Sequence, residues 1–248
     1  MSIYVDQRRF TDKNSIRTNP VSYDFDQRNQ AWRSPVQGDP SQDCPARNTQ
    51  IRGGNPLSIQ KSILADYPDL TCSGQGSDLK VFLDMDGVLT DFTGACEKLN
   101  ERMMLWYAAD RERFWKHITA AGTVFWSDMS WMAGGRELHG FLKSSGLHPT
   151  ILSALPSPDR KIAMINARKG KMEWLKKELG TPYANDAILC FRPEKALQSG
   201  TSRILIDDNS NNTREWEEAG GTAILHRNAD RTIRCLGKIV KEGQETRI

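Results

Sequence analysis

Apolar residues are distributed unevenly along the chain, and their pattern divides it near residue 78. In residues 1–78 they occur singly among Asn, Gln, Arg, Asp, Ser and Pro, with no helical or strand periodicity. Such a segment buries too little apolar surface to offset the entropy lost when it becomes ordered. We therefore predict an extended N-terminal arm of low hydrophobicity over residues 1–78 and a folded domain over residues 79–248.

From residue 79 onward, short apolar runs alternate with stretches in which apolar residues recur at helical spacing. The runs predict five strands, at residues 81–83, 149–154, 187–191, 202–206 and 222–225. The helical spacing predicts helices at residues 94–109, 111–121, 135–146, 158–179, 212–219 and 230–240, with a loop at 122–132. Strands that alternate with helices form a parallel sheet with right-handed crossovers, so the predicted fold class is α/β.

The first predicted strand of the domain ends in two closely spaced acids. Asp84 and Asp86 follow the apolar run 81–83, and Gly87 allows a sharp backbone turn after them. Open α/β sheets bind ligands at the carboxyl ends of their strands. Paired carboxylates there repel each other unless a cation or a proton lies between them, which suits Mg²⁺-assisted chemistry on a phosphate. The competing interpretation is an Asx turn between a strand and a helix.

Three other strand and helix positions complement this acid pair. Ser153 ends the second strand, and the adjacent acids Asp207 and Asp208 close the fourth, where they would be costly without a cation. Lys171 lies in the helical stretch before the third strand. Ser153 and Lys171 each have a simpler alternative: a serine after a strand is commonly a helix cap, and Lys171 has basic neighbours that would form a solvated face.

Residues 84–89 (DMDGVL) resemble motif I of the haloacid dehalogenase (HAD) superfamily. The order acid pair, hydroxyl, lysine, acid pair resembles the four motifs of HAD phosphatases over residues 79–235. The resemblance implies a HAD-like Rossmannoid three-layer fold with a parallel five-stranded sheet and a small helical cap at about residues 93–132. A closer resemblance, to the 5′(3′)-deoxyribonucleotidases, rests on DMDGVLTDF at 84–92, FW at 125–126, KMEW at 171–174, RPEK at 192–195 and LIDD at 205–208.

The resemblance also implies roles for the acids. Asp84 would be the nucleophile that forms an aspartyl-phosphate, and Asp86 would protonate the leaving oxygen and then deprotonate the attacking water. Mg²⁺ would be the cofactor, held by Asp84, the backbone carbonyl of Asp86 and Asp208, with Asp207 as a supporting ligand.

A second set of side chains is assigned to the substrate. Ser153 would donate a hydrogen bond to a phosphoryl oxygen, and Lys171 would place a positive charge on the phosphate and on the nucleophile. Phe125 and Trp126 either stack on a base or sugar or simply pack the cap against the core. Two residues match, imperfectly, an R-D-K-type run near the substrate phosphate in that family: Arg192 and Lys195.

The net charge and the cysteine content indicate which partners and which cellular compartment to expect. The net charge of +3 is too small to imply a nucleic-acid or membrane partner. The five cysteines are odd in number and scattered, which indicates free thiols in a reducing compartment. The sequence shows neither an apolar signal core at its start nor a run of about 18 apolar residues. We therefore predict a cytoplasmic protein with no membrane association.

Three functions are consistent with these residues. The first is a Mg²⁺-dependent phosphatase acting on nucleoside monophosphates. The second is the same chemistry on the phosphorylated end of a nucleic acid, which the modest charge disfavours. The third is a phosphatase fold used as a structural or docking module through its N-terminal arm, because a fold alone does not fix function.

The arm offers the first test. Its aromatic residues would dominate any contact with a protein partner or a second copy of the chain. If the arm serves such contacts, deletion of residues 1–77 will abolish self-association or partner binding, as measured by light scattering and pull-down. A truncated protein with unchanged association would instead identify the arm as a disordered tail.

Overall fold

The computed structural model describes residues 24–26, 31–33 and 79–245, with side chains described from residue 79 to residue 239. The two short strands β1 (Asp24–Asp26) and β2 (Ala31–Arg33) pair in antiparallel register. The remainder of the predicted arm, and with it any partner-binding role, lies outside the described residues. Within the described part of the chain, none of the helices combines the length and apolar character that crossing a membrane requires.

The folded domain alternates strands and helices, as predicted. Its strands are β3 (Lys80–Leu83), β4 (Thr150–Leu155), β5 (Ile188–Phe191), β6 (Arg203–Asp207) and β7 (Thr222–Leu225). Its helices are α1 (Phe92–Leu99), α2 (Met103–Ala109), α3 (Arg111–Ser127), α4 (Gly135–Ser144), α5 (Lys161–Glu178), α6 (Thr181–Asp186), α7 (Ser210–Glu218) and α8 (Ala229–Glu245). A 3₁₀ helix, Arg192–Gln198, follows β5. Neither this 3₁₀ helix nor α6 was predicted.

The five strands of the domain form one all-parallel sheet, which confirms the predicted α/β class. Their order is β5-β4-β3-β6-β7. The chain moves outward from β3 to β5 on one side and then returns to place β6 on the other side of β3. The strand order therefore reverses between β3 and β6, and the carboxyl ends of these two strands border the crevice where Rossmann-like sheets bind ligands.

Both faces of the sheet are covered by apolar side chains. In β3, Val81 and Leu83 face one buried cluster and Phe82 faces another. On the second face, Trp216 of α7 packs edge-on against Phe82 with ring centroids 5.1 Å apart. Burial on both sides explains why β3 is a continuous apolar run and why the polar residues that follow it stand out.

The segment between β3 and α4, residues 92–132, forms what we call the helical insert. It contains α1, α2 and α3, where the sequence predicted one helix over 94–109 and a second that ended at residue 121. The predicted loop at 122–132 is wrong in its first half, because α3 continues to Ser127. Gly122 adopts φ +70° and produces a kink rather than an end, so Phe125 and Trp126 lie on a helical turn.

Helix α5 packs closely on α3, and this contact positions the backbone of Lys171 relative to the sheet. Gly170 makes the approach possible: a Cβ at this position would lie 2.5 Å from the carbonyl oxygen of Thr123 and 2.5 Å from Cβ of Trp126. Both distances are well inside van der Waals contact. The glycine is therefore a packing requirement, and the next residue, Lys171, is completely buried.

Replacing this glycine should separate the two helices. We expect Gly170→Val to lower the free energy of unfolding by about 2–3 kcal/mol, since overpacking a close contact forces the backbone to move. The matched control is Lys169→Val, which introduces the same side chain at an exposed position of the same helix. Chemical denaturation measures both, and a Gly170→Val protein as stable as the control would contradict the packing argument.

Candidate functional site

Three carboxylates meet at the crevice between β3 and β6. Asp84 follows β3 directly, Asp207 is the last residue of β6, and Asp208 is next. The pairing of Leu83 with Ile206, together with the hydrogen bond from the Asp84 amide to the Ile206 carbonyl at 2.9 Å, brings the two strand ends level. One oxygen from each carboxylate lies within 4.8 Å of the others, so the trio could hold a metal ion.

Lys195 lies between two of these acids. Its Nζ is 2.8 Å from Oδ1 of Asp84 and 2.7 Å from Oδ2 of Asp207, and its side chain is 2% exposed. The 3₁₀ helix after β5 delivers it to this position. Oδ1 of Asp84 also accepts a hydrogen bond from the Met85 amide at 2.8 Å. Among the described contacts of Asp84, both therefore use Oδ1, and Oδ2 is left for a ligand.

Asp207 and Asp208 differ sharply in their surroundings. Asp207 is fully buried and both of its oxygens are occupied: Oδ1 accepts from the Asn209 amide and from Nδ2 of Asn212, and Oδ2 accepts from Asn212 and Lys195. The half-buried Asp208 carboxylate accepts no hydrogen bond from the described residues. Asp208 is therefore the carboxylate with lone pairs to offer a cation, whereas Asp207 is committed to protein donors.

A second lysine, Lys171, contacts the other acid of the predicted pair, Asp86. Nζ of Lys171 donates to Oδ2 of Asp86 at 2.6 Å, to Oγ of Ser153 at 2.8 Å and to the Ala154 carbonyl at 2.8 Å. The opposite oxygen of Asp86, Oδ1, accepts from the Thr90 hydroxyl at 3.1 Å. Asp86 is thus held in one orientation at the mouth of the site, with about a quarter of its side chain exposed.

The electrostatics of the trio favour a bound cation. Burial, followed by the charge of Asp207, raises the pKa of Asp84 to about 7, although Lys195 opposes the shift. Burial and the charges of Asp207 and Asp84 likewise raise the pKa of Asp208 well above its ordinary value. Burial alone would lower the pKa of Lys195, but Asp207 and Asp84 outweigh it and the pKa is raised. A divalent cation would relieve the repulsion that disfavours the ionised acids.

The structure brings most of the predicted site residues together, but the lysine that contacts Asp84 is not the one expected. Asp84, Asp207, Asp208 and Lys195 form one group, and Asp86, Ser153 and Lys171 form the adjoining one. Lys171 was expected to charge the nucleophile, whereas the ammonium group that contacts Asp84 belongs to Lys195. The alternative of a solvated basic face does not describe Lys171, whose ammonium is buried and has three acceptors.

The two predicted aromatic residues lie beside this second group. Nζ of Lys171 is 5.3 Å from the ring centroid of Trp126, and the indole packs on Phe92 at 5.8 Å. Phe125 packs on Phe92 at 5.7 Å. Both predicted rings are almost fully buried in the apolar cluster, so in this conformation they pack the helical insert against the core. The indole N–H of Trp126 is buried and has no partner among the described residues.

Arg192 does not join the cluster of acids and lysines around Asp84 and Asp86. Its guanidinium forms a two-pronged ion pair with Glu215, at 2.8 and 3.0 Å, and donates to Oδ1 of Asn212 at 2.9 Å. The sequence reasoning missed Asn212, Glu215 and Thr90. Asn212 and Glu215 lie about one helical turn apart, at i and i+3 in α7. This spacing could have suggested that they share a hydrogen-bond partner, but it does not identify Arg192 as that partner.

Comparison with known proteins adds no independent assignment. No protein-family model matches the chain, and no curated protein matches it significantly.

The turn after the acid pair provides a test of the candidate cation site. Gly87 adopts φ +80°, and a Cβ added to it would collide with the carboxylate of Asp208. Gly146 has a similar φ of +69° with open space around it. We expect Gly87→Ala to abolish the rise in melting temperature produced by Mg²⁺ or Mn²⁺, because Asp208 is displaced.

The matched control, Gly146→Ala, carries the same left-handed backbone strain, roughly 1 kcal/mol, without the collision. Thermal unfolding with and without metal should therefore show that Gly146→Ala is destabilised but retains the metal-induced shift. Equal metal-induced shifts in the two variants would contradict the assignment of Asp208 as a cation ligand.

Proposed function

We propose that this protein is a Mg²⁺-dependent phosphomonoester hydrolase that works through an aspartyl-phosphate on Asp84. The single observation that carries the proposal is the asymmetric environment of that carboxylate. Oδ1 is held by Lys195 and a backbone amide, while Oδ2 accepts no described hydrogen bond, and one oxygen of this carboxylate lies within 4.8 Å of an oxygen of Asp208. A nucleophile needs this combination of a fixed position and one free oxygen.

The donor set fits Mg²⁺. This ion prefers carboxylate, carbonyl and water oxygens, and the trio supplies oxygens alone. Asp84 and Asp208 would hold it, with Asp207 committed to Lys195 and Asn212. When bound, Mg²⁺ supplies the positive charge that lets an anionic carboxylate approach an anionic phosphate. The chain's own residues perform the remaining steps.

In the first step, Oδ2 of Asp84 attacks phosphorus, a new P–O bond forms, and the ester P–O bond breaks. Asp86, protonated at the start of this step, gives its proton to the departing oxygen. In the second step, Asp86 takes a proton from water, which attacks the aspartyl-phosphate and releases inorganic phosphate and free Asp84. Thr90 and Lys171 keep Asp86 oriented in both steps.

Ser153 and Lys171 are the phosphate-binding side chains in this proposal. Both are fully buried, and their polar atoms lie within 2.8 Å of each other beside Asp86. A phosphoryl oxygen that enters would compete with Ala154 and Asp86 for the ammonium protons of Lys171. Positive charge at this position stabilises the equatorial oxygens of the transition state.

We propose nucleoside monophosphates as the substrates. Two observations support small molecules: Asp84 is only 5% exposed, and the ring centroid of Trp126 in the helical insert lies 5.3 Å from the Lys171 ammonium that pairs with Asp86. The resemblance to 5′(3′)-deoxyribonucleotidases supports the nucleotide. Cys96 and Cys190 are free thiols, which supports the cytoplasmic location that we also propose.

Substituting the nucleophile tests the mechanism. We expect Asp84→Asn to reduce Mg²⁺-dependent phosphate release from nucleoside monophosphates by at least about a thousandfold, because the attacking oxygen loses its charge. The matched control is Asp186→Asn, an exposed acid that precedes β5 at the opposite edge of the sheet. Colorimetric phosphate assays measure both.

Full activity in Asp84→Asn would exclude the proposed mechanism. The same assay run with an end-phosphorylated oligonucleotide separates the two enzymatic alternatives. Faster turnover of the oligonucleotide than of the mononucleotide would shift the substrate class to nucleic-acid ends.

A further inference from the structure

A chain of polar contacts leads from the surface of α7 to the nucleophile. Glu215 pairs with Arg192 through two hydrogen bonds, and Arg192 donates to the side-chain oxygen of Asn212. Asn212 donates to both oxygens of Asp207, each at 3.0 Å. Asp207 then accepts from Lys195. The other contact of that lysine is Asp84.

The chemistry of the partners fixes the orientation of the Asn212 amide. An asparagine side chain has one acceptor oxygen and one NH₂ group that only donates. Arg192 can only donate and ionised Asp207 can only accept, so rotating the amide by 180° would break the contacts on both sides. Without Arg192, only the two bonds to Asp207 would hold the amide in this orientation, and the Asn212 oxygen would lose the one donor described for it.

The orientation of Asp207 determines where Lys195 lies. The backbone of Asp207 is already fixed, since its carbonyl accepts from the His226 amide at 2.8 Å in pairing with the end of β7. The Asn209 amide donates to Oδ1 of the Asp207 side chain, and the Asn212 amide adds a bond to each carboxylate oxygen, which fixes the side-chain torsion. Lys195 is a flexible four-carbon chain, and the ion pair with Asp207 holds its ammonium group over Asp84.

We propose that Arg192 and Glu215 are positioning residues that hold the Asn212 amide in one orientation, so that Asp207 keeps Lys195 in contact with Asp84. Arg192 thus acts through Asn212 and touches neither the substrate nor the reacting atoms. The kinetic consequence rests on the proposed phosphatase function. The position of Lys195 does not, and it can be measured separately.

The direct test observes the two buried lysines by ¹⁵N NMR of their side-chain ammonium groups. Lys171 and Lys195 are the most buried lysines described, so their ammonium protons should exchange slowly, and Lys195→Arg assigns the signals. In Arg192→Met and in Asn212→Leu we expect the ammonium protons of Lys195 to exchange with solvent at least about fivefold faster, because its ion pairs with Asp84 and Asp207 break more often. The Lys171 signal should not change in either variant.

Two further variants sharpen this test. Arg136→Met removes an exposed arginine that pairs with a different acid, Glu178, and it should leave both signals unchanged. Glu215→Gln keeps a weaker bond to Arg192 and should give an intermediate acceleration. If Arg192→Met fails to fold, Glu215→Gln decides the question. An unchanged Lys195 signal in a folded Arg192→Met or Glu215→Gln protein would overturn the proposal.

Activity provides the second readout. We expect Arg192→Met to reduce kcat about tenfold with KM within about twofold of wild type, since a displaced lysine affects the transition state more than substrate binding. Adding Arg192→Met to Asn212→Leu should cause no further loss, because both act on one path. If the losses in kcat of the two single variants add in the double variant, Arg192 does not act through Asn212 and the proposal is overturned.

The two readouts also separate the two proposals. If no phosphomonoester is hydrolysed by the wild-type protein, the proposed function fails, while the Lys195 signal still reports whether Arg192 positions the lysine. If the enzyme is active but Arg192→Met alters neither kcat nor the Lys195 signal, the positioning role fails alone.

Discussion

Repulsion among carboxylates at one edge of the sheet is the constraint around which this domain is built. Asp84 and Asp207 lie at the ends of adjacent strands, and both are buried. Two ionised acids in such a place are costly, and one buried lysine offsets part of that cost by pairing with both. The raised pKa values of Asp84 and Asp208 indicate that the lysine alone is not sufficient. The carboxylates at this edge of the sheet therefore carry more negative charge than the protein's own cations neutralise.

The sheet and the acids at its edge could be predicted from the sequence because each depends on local signals. An apolar run that stops at an acid marks both the strand and its carboxyl end, and β3 and β6 each follow this pattern. The partners of the lysines could not be predicted in this way. Lys171 and Lys195 are both basic residues near strand β5, and which acid each reaches depends on where α5 and the 3₁₀ helix place their backbones.

The helical insert shows a different limit of sequence reasoning. Residues 122–132 were expected to form a loop, and this predicted loop begins at a glycine. Gly122 instead permits one non-helical residue, after which α3 resumes for another turn. Similarly, Arg192 carries no local sign that it pairs with Glu215, because the two residues come together only when α7 packs beside the 3₁₀ helix. Such pairings follow from tertiary packing.

The number of charged groups in the crevice between β3 and β6 determines how strongly it attracts an anion from solution. Asp84, Asp86, Asp207 and Asp208 oppose only two ammonium groups, which leaves two negative charges in excess when all six groups are ionised. One divalent cation brings this sum to zero in the state before Asp86 takes up the proton that it later gives to the leaving oxygen. A crevice with zero net charge exerts little long-range pull on a charged molecule in solution, so its encounter rate should depend weakly on ionic strength. Capture would then rely on contacts made after arrival.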